Sequence, residues 1–337
     1  MSLTNDPELK DIQTRLSSPD SEVRRIALLD IADFEGDDHL PLIIASLKDP
    51  VAAVRAQAAK ALEEALEASE DDIGIQALIV ALEDPDPLVR EAAAHSLHDL
   101  KQQESARSIL PHLAHPEAFV RATLFRALRG LRVAESFTPA LAALSDTNAE
   151  VRREAVAVLG YLKQPRALPA LAALAAEDPE AEARRAAVGA IGFASDDTIL
   201  SALLSGLSDP AWQVREEAAT TLGKLRLKNA IDQLIAVLED TYWQVRLCAT
   251  RALGRLRDPR AIPALVGALD HRISNLRKEA ALALGEIGVR EALPALEHVQ
   301  NDADPDVRKS ARLAIAQIQA TARKNLADTD EKREAGS

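Results

Sequence analysis

Apolar and polar positions along this chain follow the 3.6-residue period of an α-helix, and the helical pattern itself recurs. An aliphatic residue followed by arginine appears with Arg24, Arg55, Arg90, Arg121, Arg152, Arg184, Arg215, Arg246, Arg277 and Arg308. Seven of the nine spacings are 31 residues, one is 32 and one is 35. Counting from each arginine, position +3 is alanine in every repeat except the fourth, which has Leu124, and position +7 is always Leu or Ile. Position +10 is always apolar, from Phe34 to Ile318. Positions −1, +3, +7 and +10 trace one stripe of a helix, which predicts an amphipathic second helix in each repeat. The small residue at +3 is expected to let a neighbouring helix approach closely.

Six residues before the arginine stands Asp49, Asp84, Asp146, Asp178, Asp209, Asp240 or Asp302, in seven of ten repeats. Aspartate there can cap the amides that open the next helix, and a proline after it ends the helix before. Upstream lies an apolar first helix such as Ala167–Ala175 or Ala261–Leu269, whose early proline occupies a first-turn position with no intrahelical partner to lose.

Helix, Asp turn, helix, with Val-Arg opening the second, resembles the HEAT repeat. The 31-residue length and wording such as Asp209-Pro210-Ala211-Trp212-Gln213-Val214-Arg215 resemble the bacterial HEAT-like type first named from phycobilisome lyases. The resemblance covers about residues 7–320. It implies an all-α fold, a right-handed, armadillo-like α-solenoid of about ten two-helix repeats. First helices would lie on the convex face, second helices on the concave one, and turn Asp and Arg would form a ladder between repeats. Helix layers about 8–10 Å apart would make ten repeats a curved rod on the order of 100 Å long with an extended groove.

Composition supports this reading. Of the residues 47% are hydrophobic but only 3% aromatic, so Ala and Leu, both strong helix formers, dominate. No apolar run reaches the roughly 18 residues of a membrane span, and the first residues lack a secretory signal, so a cytoplasmic protein is expected. The single cysteine, Cys248, excludes an internal disulfide and fits a reducing compartment. A net charge of −13 argues against nucleic acid. Residues 1–6 are expected to be flexible, Glu67–Asp72 to form an acidic loop insertion, and 321–337 to be an unstructured charged tail.

Departures from the repeat carry the functional signal. Trp212 and Trp243, the two tryptophans, share the slot three residues before the arginine in adjacent repeats, and Tyr242 precedes the second. Residues 246–278 hold eight Arg or Lys against two Asp, a local charge of +6. Within this patch Arg251 and Arg255 fall opposite the apolar stripe, and Tyr161, Phe193 and Lys224 share position +9 in nearby repeats. Exposed aromatics flanked by arginine are common binding anchors. These eight residues define an expected partner-binding surface, with packing of each indole over its neighbour's turn as the structural alternative.

Four histidines, His95, His98, His112 and His115, form two i, i+3 pairs and are metal-site candidates. Antiparallel pairing argues against them, because it would set His98 opposite residue 106, and His115 occupies a turn-Asp slot. The His-Glu dipeptides of the iron-binding hydroxylases with HEAT-like repeats are absent. Cys248 has no histidine near it in sequence to make it a nucleophile, and no phosphate loop or hydrolase motif is present. The expectation is a non-catalytic scaffold, adaptor or assembly factor without cofactor, binding one or more proteins. The alternative that the resemblance implies is a bilin lyase or bilin-handling chaperone, with Arg251 or Arg255 pairing with tetrapyrrole propionates. A third reading, recognition of damaged DNA as in HEAT-like glycosylases, rests on the +6 patch alone.

Overall fold

A computed structural model describes residues 7–32, 39–68, 72–195 and 197–334. Among these there are twenty α-helices and no strand, arranged as ten helix pairs, five in each of two compact units, 1–164 and 165–337. The first unit contains the pairs α1 (Pro7–Leu16) and α2 (Ser21–Ala32), α3 (Leu40–Ser46) and α4 (Ala52–Ala68), α5 (Asp72–Ala81) and α6 (Pro87–His98), α7 (Ala106–Ile109) and α8 (Ala118–Leu131), and α9 (Phe137–Ala143) and α10 (Ala149–Leu162). The second contains α11 (Leu168–Glu177) and α12 (Ala181–Ala190), α13 (Leu200–Gly206) and α14 (Trp212–Leu225), α15 (Ile231–Ala236) and α16 (Trp243–Leu256), α17 (Ile262–Ala268) and α18 (Ser274–Ile287), and α19 (Leu293–His298) and α20 (Pro305–Glu334).

Within each unit the second helices pack consecutively, α2 to α10 and α12 to α20, while each first helix packs on its own partner. The predicted stripe is the core. Val214, Ala218 and Leu222 are completely buried on α14, and so are the equivalent Val245, Ala249 and Leu253 on α16. The alanine at +3 meets the first helix of its own repeat closely in α14, where a Cβ added at Gly206 would lie 3.0 Å from the Ala218 Cβ. A second tight approach, between second helices, is made by glycine at +8. Cβ atoms on Gly223, Gly254 and Gly285 would lie 2.7 to 2.8 Å from the Cα of Ala252, Ala283 and Ala314 in the next helix. Backbone therefore touches backbone at every joint from α14 to α20.

The expected ladder is present. In six joints the arginine grips the next repeat's turn aspartate in a two-point contact, as Arg215 Nε to Asp240 Oδ2 (2.6 Å) and Nη2 to Oδ1 (2.9 Å). Its remaining nitrogen donates to carbonyls of its own turn, Asp209 at 2.8 Å and Pro210 at 3.2 Å. The aspartate also accepts the amide two residues on, Tyr242 N to Asp240 Oδ1 at 2.8 Å. Burial alone would raise the Asp240 carboxyl, but the hydrogen bonds from Arg215 and the Tyr242 amide outweigh it and hold the group below its usual range.

Two joints carry histidine in the aspartate slot. His115 Nδ1 accepts from Glu117 N (3.1 Å) and Nε2 meets Glu83 Oε1 (3.2 Å), which one neutral tautomer satisfies. His271 is different. Its Nδ1 faces Ile273 N at 3.0 Å and its Nε2 faces Arg246 Nη1 at 3.0 Å, two obligate donors. A neutral imidazole has one acceptor nitrogen, so one contact stays unmade, and the buried Nε of Arg246 also has no partner.

Three expectations concern segments beside the repeats. The segment after 320 continues α20 as helix to Glu334, because its Ala, Lys, Glu and Leu content favours helix even without apolar surface to bury. Of the acidic insertion, Glu67 and Ala68 end a lengthened α4 and Asp72 opens α5, while 69–71 lie outside the described residues. The expected flexible segment 1–6 lies outside them too.

Candidate partner-binding surface

Four of the ten residues that precede a second helix, Asp20, Asp86, Asn148 and Asp304, accept its first amides, as Asn148 does for Glu150 N and Val151 N; Val51, Glu117 and Glu180 do not. In three consecutive repeats of the second unit that position is Ala211, Tyr242 or Ile273, and no side chain caps the helix. The edge carries apolar side chains at these positions. Trp212, first residue of α14, stacks on Tyr242 with ring centroids 5.5 Å apart and planes at 14°. The Arg215 guanidinium, fixed by Asp240, lies 5.7 Å from the Tyr242 centroid. Such contacts hold a tyrosine ring at low entropic cost while leaving its edge available.

Tyr242 is 45% exposed and Trp243 38%, whereas Trp212 is half-buried. Trp212 thus serves as packing over its neighbour's turn, and Tyr242 with Trp243 forms the outward face. Among the described residues of the second unit only Leu313 adds another exposed large hydrophobic side chain.

The basic residues separate into engaged and free groups. Arg251 donates to Glu279 (2.9 Å), Arg260 to Asp258 (2.8 Å) and Arg277 to Asp302 (2.7 Å). Arg255 is exposed and forms no ion pair among the described residues. Trp243 opens α16 and Arg255 falls in its last turn, twelve residues on, a separation of about 18 Å along the axis. The expected anchors therefore occupy two ends of one helix instead of one spot. Lys224 is exposed in the last turn of α14, at the same end as Arg255, and Phe193 is half-buried just after α12. Tyr161 belongs to the first unit, where the Arg132 guanidinium lies 5.0 Å over its ring.

The free end also holds a basic residue at position +11, as Arg132 and Lys163 do after α8 and α10 in the first unit. Arg226 and Arg257 follow α14 and α16 in the left-handed conformation, φ 54° and 52°, where glycine is the usual residue and Gly288 stands after α18. Holding a long basic side chain there costs on the order of 1 kcal/mol, and both are exposed at the helix C-termini, where positive charge is favoured. The sequence signal was position +11, where arginine or lysine replaces glycine.

The four histidines do not converge. His112 Nε2 bonds Gln76 Oε1 at 3.0 Å and His115 serves its turn, both away from the end of α6 that carries His95 and His98. Cys248 is half-buried, and burial together with nearby Glu216 pushes its thiol up, against thiolate formation.

Stacked helix pairs tied by Arg–Asp joints define a helical-repeat protein. The HEAT repeats family matches residues 9–75, 64–129, 107–192, 171–246 and 231–316, and the chain belongs to that family. Comparison with curated proteins gives no match. Among solved structures it is similar to Kap95p (TM-score 0.65, 15% identity), over 92% of this chain and 51% of that one, so it spans about half of Kap95p. That structure concerns Kap95p binding, which induces RanGDP switch loops to adopt the GTP-bound conformation. It is also similar to an engineered protein (0.51, 20% identity, 93% and 99% covered) and to YibA of E. coli (0.50, 19% identity, 90% and 98% covered). At these identities the likeness establishes fold.

Proposed function

We propose that this HEAT-repeat chain is a scaffold or adaptor that holds a protein partner on the second-helix side of its second unit. Tyr242 and Trp243 would anchor the partner at one end, and Lys224, Arg226, Arg255 and Arg257 would receive acidic groups at the other. The observation that carries the reading is the aromatic edge, where Tyr242 and Trp243 stand exposed side by side and an arginine held by aspartate braces the tyrosine. Kap95p is a structural neighbour whose description concerns binding a protein, which supports the reading by analogy. The cytoplasmic placement is part of this proposal. Among the described residues no helix is long and apolar enough to cross a membrane.

Affinity purification with the parent chain and with Trp243→Ala combined with Tyr242→Ala tests it. Partner recovery should fall at least tenfold, with helical circular dichroism unchanged. Equal recovery by the folded double variant would remove the aromatic edge from the account.

A further inference from the structure

We propose that Glu63, His95 and Asp99 form a site for a divalent transition-metal ion of the Zn2+ type, bridging α4 and α6 in the first unit. His95 and Asp99 are one turn apart at the end of α6, with His95 Nε2 3.5 Å from Asp99 Oδ2. Glu63 reaches toward them from α4, and one ligand atom from each residue lies within 4.8 Å of the others. Tetrahedral bonds of about 2.0–2.2 Å require ligand atoms roughly 3.3–3.6 Å apart. The α6 pair already meets that, and a side-chain rotation of Glu63 completes it.

Glu63 occupies position +8, the slot that is glycine against backbone in the later joints of the second unit and a longer polar side chain, His98 and Arg129, in the two repeats that follow it. Two further observations support the site. Turn aspartates at six joints are matched by arginine, whereas among the described residues no arginine or lysine pairs with Glu63 or Asp99. Glu63 and Asp99 also line a cavity of about 170 Å³ with Gln102 and Ser105, which gives water or a further ligand room to complete the coordination; Lys101 lies on the same wall. One imidazole and two carboxylates suit Zn2+, Mn2+ or Co2+, while Mg2+ and Ca2+ favour all-oxygen sets.

Calorimetric titration of Zn2+ at pH 7.5 into the full chain carrying Cys248→Ser, which removes the one thiol, tests the proposal. Saturable binding at one site is expected. His95→Ala and Asp99→Asn should each weaken it at least about tenfold, while His298→Ala, an exposed histidine elsewhere, should leave it unchanged. Zn2+ should also raise the melting temperature of the parent and of His298→Ala but not of His95→Ala. No saturable binding by the parent, or equal binding after His95→Ala with helicity intact, overturns the site.

Discussion

Arg215 makes four hydrogen bonds in two directions, two to Asp240 of the next repeat and two to carbonyls of its own turn. The guanidinium has five donors in a rigid fork, which is why lysine could not do the same. Replacing Asp240 with asparagine should cost about 1–3 kcal/mol, read as a lower midpoint in urea, because a half-buried arginine loses its counter-charge. His271 makes the opposite prediction. Aspartate there would accept both Arg246 and the Ile273 amide, as six other joints do, so His271→Asp should stabilise the chain by about 1 kcal/mol.

The same histidine gives a pH dependence whose sign is fixed. Burial, then the charges of Arg246, Arg272 and Arg277, push its imidazole below 6.5, with Glu239 opposing. The folded chain therefore prefers the neutral ring. Stability from this joint is intact above pH 6.5 and is lost as pH falls below it, and His271→Asp should abolish that step in a series of melts. The turn aspartates, held low by arginine, lose theirs only below about pH 3.8.

At the scale of the helix, the second helices are set by what lies on two of their faces. The stripe at −1, +3, +7 and +10 was legible because it repeats within one helix, and it is the core. The glycine at +8 was not, because its partner is an alanine of the following helix, in another repeat. Gly223→Ala should improve the intrinsic helix yet destabilise the protein by about 1–3 kcal/mol, since its Cβ would sit 2.7 Å from the Ala252 Cα. A lower melting temperature with unchanged helicity at 20 °C is the expected result. Legibility failed in the same way at the candidate sites. Tyr242 and Trp212 could be named as aromatics, but that they stack follows only from placing one repeat's first helical residue over the next repeat's cap. The histidine grouping captured His95 and missed Glu63 and Asp99, whose meeting depends on two helices lying side by side.

Within each unit, contacts run mainly between a repeat and its neighbour, so stability accrues joint by joint. Each unit holds five complete helix pairs. Residues 1–164 and 165–337 expressed separately should each give helical circular dichroism that is lost cooperatively on heating, and a fragment that is unfolded at 20 °C would contradict this. The partner-binding proposal belongs to the second fragment alone, which should retain the partner when the first is absent.

The Arg–Asp joint uses one residue from each of two adjoining repeats and nothing beyond them. A DNA duplication that copies 31 codons in frame therefore supplies a piece whose incoming arginine and outgoing aspartate already fit the flanking repeats. Array length can grow or shrink by recombination without new joint chemistry, leaving selection to act on the few surface positions, such as Tyr242 and Trp243, where copies have diverged.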